Sequence, residues 1–206
     1  MSDWDIRHQF NFNGVFELPF GKGKPWGSGA SRGVNALIGG WQLAGVWYWT
    51  SGLPTYVYNG RAWSTQWNLA GYGTPTGPLK TEMGIFKNAP AISGPGGPNI
   101  FKDPQAAYDS YRFDLPGESG MRNTLRGDGF FTIDTSLSKR IQMPFKDSHS
   151  LQVRWEVFNV TNTARFDVGS IGAQANNFLT IASSFGKYTG VLTRPRVMQF
   201  GLRYEF

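Results

Sequence analysis

The stretch Arg194-Pro-Arg-Val-Met-Gln-Phe-Gly-Leu-Arg-Tyr-Glu-Phe206 alternates between apolar and polar side chains. Even-numbered positions from Met198 to Phe206 are apolar, whereas odd-numbered positions from Gln199 to Glu205 are polar or small. A period of two residues predicts a β-strand with one apolar face. The strand reaches Phe206 on that apolar face, and an aromatic residue there suits a bilayer interface better than water. An edge strand of a soluble sandwich is the alternative for this segment alone.

Four further stretches alternate in the same way, and we predict five antiparallel strands near residues 6–18, 37–51, 129–142, 149–160 and 196–206. The clearest alternation sets Leu151, Val153, Trp155 and Val157 against Gln152, Arg154 and Glu156. The second stretch carries tryptophans near both ends, as the aromatic girdle of a membrane barrel does. Lys139 interrupts the apolar face of the third strand near its end, where a long side chain can snorkel to water.

The polar faces of these strands are charged, which in a wide barrel is typical of a water-filled or plug-contacting lumen. We expect one set of polar residues to share the concave side, where opposite charges pair across the ladder. The set consists of Asp134, Arg140, Gln152, Arg154, Glu156, Gln199, Arg203 and Glu205.

The connections between the predicted strands alternate in length. They are short after the first and third strands, and long after the second (residues 52–128) and the fourth (residues 161–193). Short turns at one end and long loops at the other are typical of an outer-membrane barrel, with the long loops extracellular. A structureless loop as long as residues 52–128 is uncommon, so it either contains short hairpins or has a function outside the membrane.

Aromatic side chains cluster in the first long connection. They can stack on a sugar or peptide ligand, although packing of the loop against itself is the favoured alternative. These candidate ligand contacts are Tyr56, Tyr58, Trp63, Trp67 and Tyr72.

Composition excludes several other functions. The chain of 206 residues has 27 Gly, 16% aromatic and only 17% charged residues, which favours an all-β protein. It has no Cys, which excludes thiolate metal sites and disulfides, and its net charge of +6 is spread without a basic cluster, so nucleic acid is not an expected partner. Apolar runs are too short for a transmembrane helix, and residues 1–8 do not read as a signal peptide.

We find no pattern for catalysis or for a cofactor. His8 and His149 are far apart, and no Ser-His-Asp set suggests itself, so neither enzyme activity nor a metal site is expected. Four acidic residues of the first long connection lack a recognised calcium-ligand spacing. They are Asp103, Asp109, Asp114 and Glu118.

Short motifs in order along nearly the whole chain resemble the C-terminal end of Oar-like TonB-dependent outer-membrane receptors. The motifs are Asp5-Ile-Arg-His8, Leu18-Pro-Phe-Gly21, Gly40-Trp41, Ser51-Gly-Leu-Pro54, Arg122-Asn123, Leu125-Arg-Gly127, Asp134 with Ser136-Leu-Ser-Lys139, Arg154-Trp-Glu-Val-Phe-Asn159 with Asn162, Arg194-Pro-Arg and Gln199-Phe-Gly-Leu-Arg-Tyr-Glu-Phe206. The resemblance implies a barrel of about twenty-two strands with an N-terminal plug, of which the last five are present.

The resemblance also implies function and partners. Residues 1–206 are then a partial barrel without plug domain or signal peptide, taking part in energised uptake across a Gram-negative outer membrane. Expected partners are outer-membrane lipid, the rest of the barrel and plug, the TonB complex through the missing N-terminal part, and the barrel-assembly machinery. That machinery is expected to recognise the terminal strand through Phe200, Tyr204 and Phe206.

A soluble β-rich carbohydrate-binding module or hydrolase, using the loop aromatics as a platform, is the rival interpretation. The two differ in where four aromatic residues lie: Trp47, Trp155, Phe200 and Tyr204. The receptor requires them on one continuous outer surface, whereas the rival requires them in a closed core between two sheets.

Overall fold

Sixteen helices and strands are assigned in the computed structural model, which describes residues 2–62, 70–145, 148–173, 179 and 182–206. In chain order they are β1 (Gln9–Glu17), α1 (Arg32–Ile38), β2 (Trp41–Thr50), β3 (Pro54–Thr55), β4 (Tyr58–Ala62), β5 (Ala70–Tyr72), β6 (Thr74–Pro75), β7 (Met83–Ala89), β8 (Gly97–Phe101), α2 (Pro104–Tyr108), β9 (Tyr111–Arg112), β10 (Leu125–Arg126), β11 (Phe130–Gln142), β12 (Ser150–Phe158), α3 (Gly169–Ala173) and β13 (Val197–Glu205). A single 3₁₀ turn spans Ala182–Ser184.

Five strands form the main sheet, in the order β1-β2-β11-β12-β13. The strands therefore neighbour one another in the order in which the chain visits them, as in a meander. β12 is antiparallel to both of its neighbours, and Trp155 is paired with Leu137 on one side and Phe200 on the other. Backbone bonds from Leu18 N to Trp41 O and from Ser51 N to His8 O, each 2.8 Å long, fix β1 antiparallel to β2. The all-β, antiparallel class predicted from the sequence is confirmed.

The prediction that the second strand begins near Leu37 was wrong, because residues 32–38 form helix α1. The Ser31 hydroxyl caps this helix by accepting a hydrogen bond from Val34 N at 3.4 Å. Gly40 then adopts φ +73°, which turns the backbone out of the helix and into β2. Alternation of apolar residues did not reveal the helix, since Leu37 falls at an odd-numbered position, like Trp41 and Leu43 of the strand pattern.

The two long connections fold together, and the first of them contains short paired strands, which is one of the two outcomes expected from its length. Short antiparallel pairs join β3 to β10, β4 to β5, β6 to β9 and β7 to β8. Residues 1–9, 50–130 and 164–192 form one compact unit, here called the loop unit, and residues 10–49, 131–163 and 193–206 form a second, the sheet unit.

The loop unit has its own hydrophobic core. Its buried members are Val57, Ile100, Phe101, Ala107, Leu125, Val168, Ile171, Leu179, Phe185 and Tyr188. The rings of Phe101 and Phe185 stack with their centroids 5.5 Å apart, which joins the first long connection to the second. Hydrogen bonds of 2.8 Å from Asn99 Nδ2 to Phe185 O and from Tyr108 Oη to Leu179 O complete the join.

Helices in the described part of the chain are all short. None of them has the length and apolar character needed to cross a membrane.

Candidate functional site

One face of the sheet is apolar and exposed. Register across β11, β12 and β13 produces rows of apolar side chains, for example Leu137, Trp155 and Phe200. The rings of Trp155 and Phe200 stack with centroids 5.9 Å apart and planes within 5°. Phe200 is 79% exposed and Leu202 is 72% exposed. Contiguous exposure on this scale marks a surface that meets an apolar partner.

The same face continues onto β2 and β1. A Cβ at Gly45 would lie 4.0 Å from Thr135 Cγ2, so the odd-numbered positions of β2, including Trp47, face the side of Thr135. Trp49 on this face contacts Phe10 of β1, with ring centroids 5.6 Å apart.

The four diagnostic aromatic residues therefore share one face of a single sheet. Trp47 is 42%, Trp155 38%, Phe200 79% and Tyr204 47% exposed. A closed core between two sheets would bury these rings. The geometry is the one that the receptor interpretation requires.

Lys139 is the one charged residue in the apolar rows of β11, β12 and β13, between Ile141 and Leu137. Its Nζ lies 5.5 Å from the centre of the Trp41 ring and donates a 2.5 Å hydrogen bond to Ala36 O of α1. The side chain is covered rather than immersed in solvent, being 6% exposed. The ammonium therefore does not snorkel to water as predicted, but is held within the protein by a carbonyl oxygen and an aromatic ring.

The opposite face of the sheet carries the charges. Register pairs Arg140 with Gln152, Gln152 with Arg203, and Glu156 with Gln199, so these side chains point to one side. Arg140 and Glu205 form an ion pair across β12, and Gln199 donates to Glu156. Along the strands, Arg154 lies 2.7 Å from Glu156 and Arg203 lies 3.2 Å from Glu205. The predicted grouping of these residues on one face is confirmed.

A second candidate site lies in the loop unit, where three of the five predicted aromatic contacts come together. The rings of Tyr56 and Tyr58 are 4.6 Å apart edge to face, Tyr56 and Tyr72 are 4.9 Å apart, and Tyr58 stacks on Tyr72 at 5.9 Å. The Tyr56 and Tyr58 hydroxyls are 2.7 Å apart. All three rings are half-buried. Trp63 and Trp67 lie outside the described residues.

Arg122 covers this tyrosine cluster. Its guanidinium carbon lies 5.8 Å from the centre of the Tyr56 ring and 5.9 Å from that of Tyr72, within reach of a cation–π interaction. Arg122 also forms an ion pair with Asp3, which accepts a 2.8 Å hydrogen bond from Asn123 Nδ2. The hydrogen bond from Asn123 is the main cause that lowers the pKa of Asp3, and burial against these rings raises the pKa of Tyr56 to about 12.

A second ion pair, between Arg126 and Asp5, also attaches the N-terminal segment to the rest of the loop unit. Arg126 donates to Asp5 Oδ2 at 2.6 Å, to Asp5 O at 2.8 Å and to Gly52 O at 2.6 Å. Sequence reasoning gave Asp3, Asp5, Arg122 and Arg126 no role, because partners more than a hundred positions apart leave no local spacing. The sequence offered one sign of their importance, since Asp5, Arg122 and Arg126 lie in the motifs that carry the family resemblance.

The acidic residues considered for calcium have other partners. Asp103 caps α2 by accepting from the backbone N–H groups of Gln105 and Ala106, and Asp109 accepts from the Gln105 amide. Asp114 accepts from Asn59 and Thr74, and Glu118 forms a two-pronged pair with Arg112. Among the residues that the structure describes, no group of three or more His, Asp or Glu side chains could hold a metal ion.

A sheet with an exposed apolar face and a charged opposite face defines a protein whose strands contact lipid on one side and water on the other. The comparison with family models agrees with this class. A family described as "Outer membrane beta barrel domain" matches residues 1–199, and the chain belongs to that family. It is a protein of the outer membrane. No significant match to the chain was found among curated proteins or among solved structures.

Proposed function

We propose that this chain is the C-terminal part of the barrel of a TonB-dependent receptor, and that it takes part in energised uptake of a ligand across the outer membrane. The observation that carries the proposal is the division of the sheet into an exposed apolar face and a cross-paired charged face. The ordered motifs shared with Oar-like receptors support the receptor type. Membership of the outer-membrane barrel family supports the location.

In this proposal the chain forms part of the barrel wall and catalyses no reaction. Its apolar face contacts outer-membrane lipid, and its charged face contacts the plug or the water around it. The remaining barrel strands pair with the free edges of the sheet, because in lipid an unsatisfied backbone group costs several kcal/mol. The TonB complex acts through the N-terminal part of the receptor, and the chain needs no cofactor.

The proposed ligand contacts are the loop aromatics Tyr56, Tyr58 and Tyr72, together with Trp63 and Trp67. Arg122 favours a ligand with hydroxyl or carboxylate oxygens, since the guanidinium donates hydrogen bonds while the rings offer apolar edges. Sugars and peptides both meet this description. Although the three tyrosine rings pack on one another, their outer edges remain available for such contacts.

Genomic sequence upstream of the codon for residue 1 is the first test. An open frame encoding a plug domain is the expected result, and a stop codon directly upstream contradicts the receptor proposal.

Energised uptake is the second test. Cells expressing the complete frame are given fluorescent oligopeptides or oligosaccharides, with and without a proton uncoupler. We expect accumulation that the uncoupler abolishes and that Tyr72→Ala lowers without lowering the amount of assembled receptor. The control Phe145→Ala, an exposed ring in the short turn between β11 and β12, should leave accumulation unchanged. Accumulation that persists with the uncoupler contradicts TonB dependence.

The soluble carbohydrate-binding alternative is not favoured. It requires the aromatic residues of the sheet to be enclosed, and they are exposed on one face.

A further inference from the structure

Residues 20–38, between β1 and β2, hold apolar side chains out in solvent. Trp26 is 59% exposed, Val34 48% and Leu37 74%, and α1 has no buried residue. Val34, Leu37 and Ile38 are spaced i, i+3 and i+4, which places them on one side of the helix. A helix that buries nothing gains no stability from its apolar side in water. The segment, here called the foot, is therefore incomplete without an apolar partner.

The foot lies on the lipid-facing side of the sheet. Trp41 Nε1 donates a 2.8 Å hydrogen bond to Leu37 O, and Lys139 Nζ donates to Ala36 O. Lys139 lies near the end of β11, in register with Val153 and Leu202 of the apolar rows. Because both donors project from the apolar face, the C-terminal end of α1 is held on that face. The exposed apolar surface of the foot thus continues the surface that meets lipid.

The foot is also basic. Residues 18–40 contain Lys22, Lys24 and Arg32 and no Asp or Glu. Lys24 Nζ contacts Glu17 at the end of β1 at 2.8 Å, with both side chains largely exposed. An excess of positive charge beside an apolar helix face complements anionic phospholipid headgroups rather than a second basic chain.

The foot is a defined structure. Phe20 and Trp26 pair through their backbones, with ring centroids 5.2 Å apart. Lys22 N donates to Asn35 Oδ1 at 2.6 Å, which holds the Gly-rich turn against α1. Gly21, at φ +107°, has no room for a side chain, because a Cβ would lie 2.6 Å from that same Asn35 Oδ1. The apolar residues are thereby held in a fixed arrangement.

We propose that the foot is a phospholipid-binding site. Trp26, Val34 and Leu37 enter the boundary between headgroups and acyl chains, while Lys22, Lys24 and Arg32 bind anionic headgroups. The inference rests on the outer-membrane family and the apolar face, and it stands whether or not the chain takes part in uptake. It gives the strand ends near Trp41 a fixed depth in the membrane.

A depth measurement tests the proposal, and the absence of Cys from the chain makes it clean. The protein with Leu37→Cys or Val34→Cys, including the barrel strands encoded outside residues 1–206 and with any cysteine there changed to Ser, carries an environment-sensitive fluorophore and is reconstituted into vesicles of phosphatidylethanolamine and phosphatidylglycerol. Brominated acyl chains serve as the quencher. Leu202→Cys, on the apolar face, is the positive control, and Asn13→Cys, on the charged face of β1, is the negative control.

We expect quenching at positions 34 and 37 close to that at 202 and several-fold above that at 13. Quenching equal to that at 13 overturns the proposal, and so does quenching at neither 37 nor 202. A third outcome is energy transfer between differently labelled chains that disappears on dilution, with no quenching by lipid. This result would assign the surface to a second copy of the chain and would also overturn the proposal.

The charge component has its own test. Changing Lys22, Lys24 and Arg32 together to Gln should remove most of the dependence of quenching at position 37 on the phosphatidylglycerol content. The matched control changes three lysines of the loop unit, Lys80, Lys87 and Lys102, to Gln and should leave that dependence intact. Equal effects of the two triple variants contradict headgroup binding by the foot.

Discussion

The loop unit and the sheet unit treat apolar side chains in opposite ways. Within the described part of the chain, every buried hydrophobic residue lies in the loop unit. The sheet unit instead exposes phenylalanine, tryptophan, leucine and methionine on β1, β2, β12 and β13, and the apolar side chains of β11 are half-buried. Phe101 of the loop unit is 0% exposed, whereas Phe200 of the sheet is 79% exposed.

This difference indicates that the apolar side chains of the two units lie in different environments. The loop unit satisfies its apolar groups internally, as a water-soluble protein does. The sheet unit pairs its charges and the backbone between its strands, but its apolar groups depend on lipid. Each of the following predictions separates the two units by a measurement that should affect one and spare the other.

Deleting Phe206 from the full-length protein should have the largest effect, because we propose that the barrel-assembly machinery recognises the terminal strand. We expect most of the heat-modifiable protein in the outer membrane to be lost. Deleting Gly94, at a loop tip where nothing lies within 4 Å of a Cβ position, should leave assembly nearly intact. Equal amounts of assembled protein in the two deletions would make Phe206 an ordinary strand end.

Phe101→Ala should destabilise the loop unit by about 3–5 kcal/mol, the usual cost of removing a buried aromatic ring. The loss of stacking on Phe185 should separate the two long connections and expose them to protease. Phe200→Ala should leave protease resistance of the loop unit unchanged. Limited proteolysis of membranes against urea concentration measures both variants, and a matching response would show that the sheet also depends on internal packing.

Val153→Arg places a charge on the apolar face, and near the bilayer midplane this costs about 2–4 kcal/mol. We expect less protein to insert into the membrane. Arg154→Leu, one position along and on the charged face, should spare insertion although it removes the pair with Glu156. Quantifying the protein extracted from membranes measures the insertion of both variants. If Arg154→Leu impaired insertion and Val153→Arg did not, the assignment of the apolar and charged faces would be reversed.

Gly186→Ala tests how tightly the two long connections fit. Gly186 has φ +72°, and a Cβ would lie 2.5 Å from both Asn99 Oδ1 and Phe101 Cδ2. Overpacking adds about 1–3 kcal/mol to the cost of a left-handed backbone. Gly94→Ala, at φ +78° with open space, carries only the backbone cost of about 1–2 kcal/mol. Urea midpoints of loop-unit proteolysis should therefore fall further for Gly186→Ala.

Glu118 gives the smallest effect, a pH dependence confined to the loop unit. Its hydrogen bonds with Arg112 lower the carboxyl pKa from 4.5 to about 2. A lowered pKa in the folded state stabilises the fold above pH 4.5, and this contribution is lost as the pH falls toward 2. Protection of the Leu115 amide from hydrogen exchange, corrected for the intrinsic exchange rate at each pH, should fall over that range, because its N–H donates to Glu118 at 2.9 Å. Glu118→Gln should flatten the profile.

Prediction from sequence succeeded where the signal was local. Alternation of side chains located β1, β11, β12 and β13 to within a few residues, because a strand with one lipid face repeats every two positions. It failed at α1, where Leu37 matches both the strand period and the helix period. A capping serine at Ser31 and the Gly39-Gly40 pair were the available signs of a short helix.

The loop unit was less predictable for a different reason. Its core joins residues such as Phe101 and Phe185, and its ion pairs join Asp3 to Arg122, all across long separations in sequence. Nothing in either connection repeats, so no period marks these residues as buried. Aromatic content did bring Tyr56, Tyr58 and Tyr72 to attention, but their cover by Arg122 depends on tertiary contacts.

Asn159 holds together the two ends of the second long connection, and so marks a place where foreign sequence can be inserted. At φ +52° it ends β12, and its backbone N–H donates to Asp134 Oδ1 at 2.8 Å. Its side chain donates to Arg194 O at 2.8 Å and accepts from Thr163 N at 3.2 Å. One residue thus closes the second long connection at both its departure and its return. Foreign sequence inserted between Thr163 and Arg194 should inherit strand ends already clamped in register, which offers a route to display peptides on this barrel.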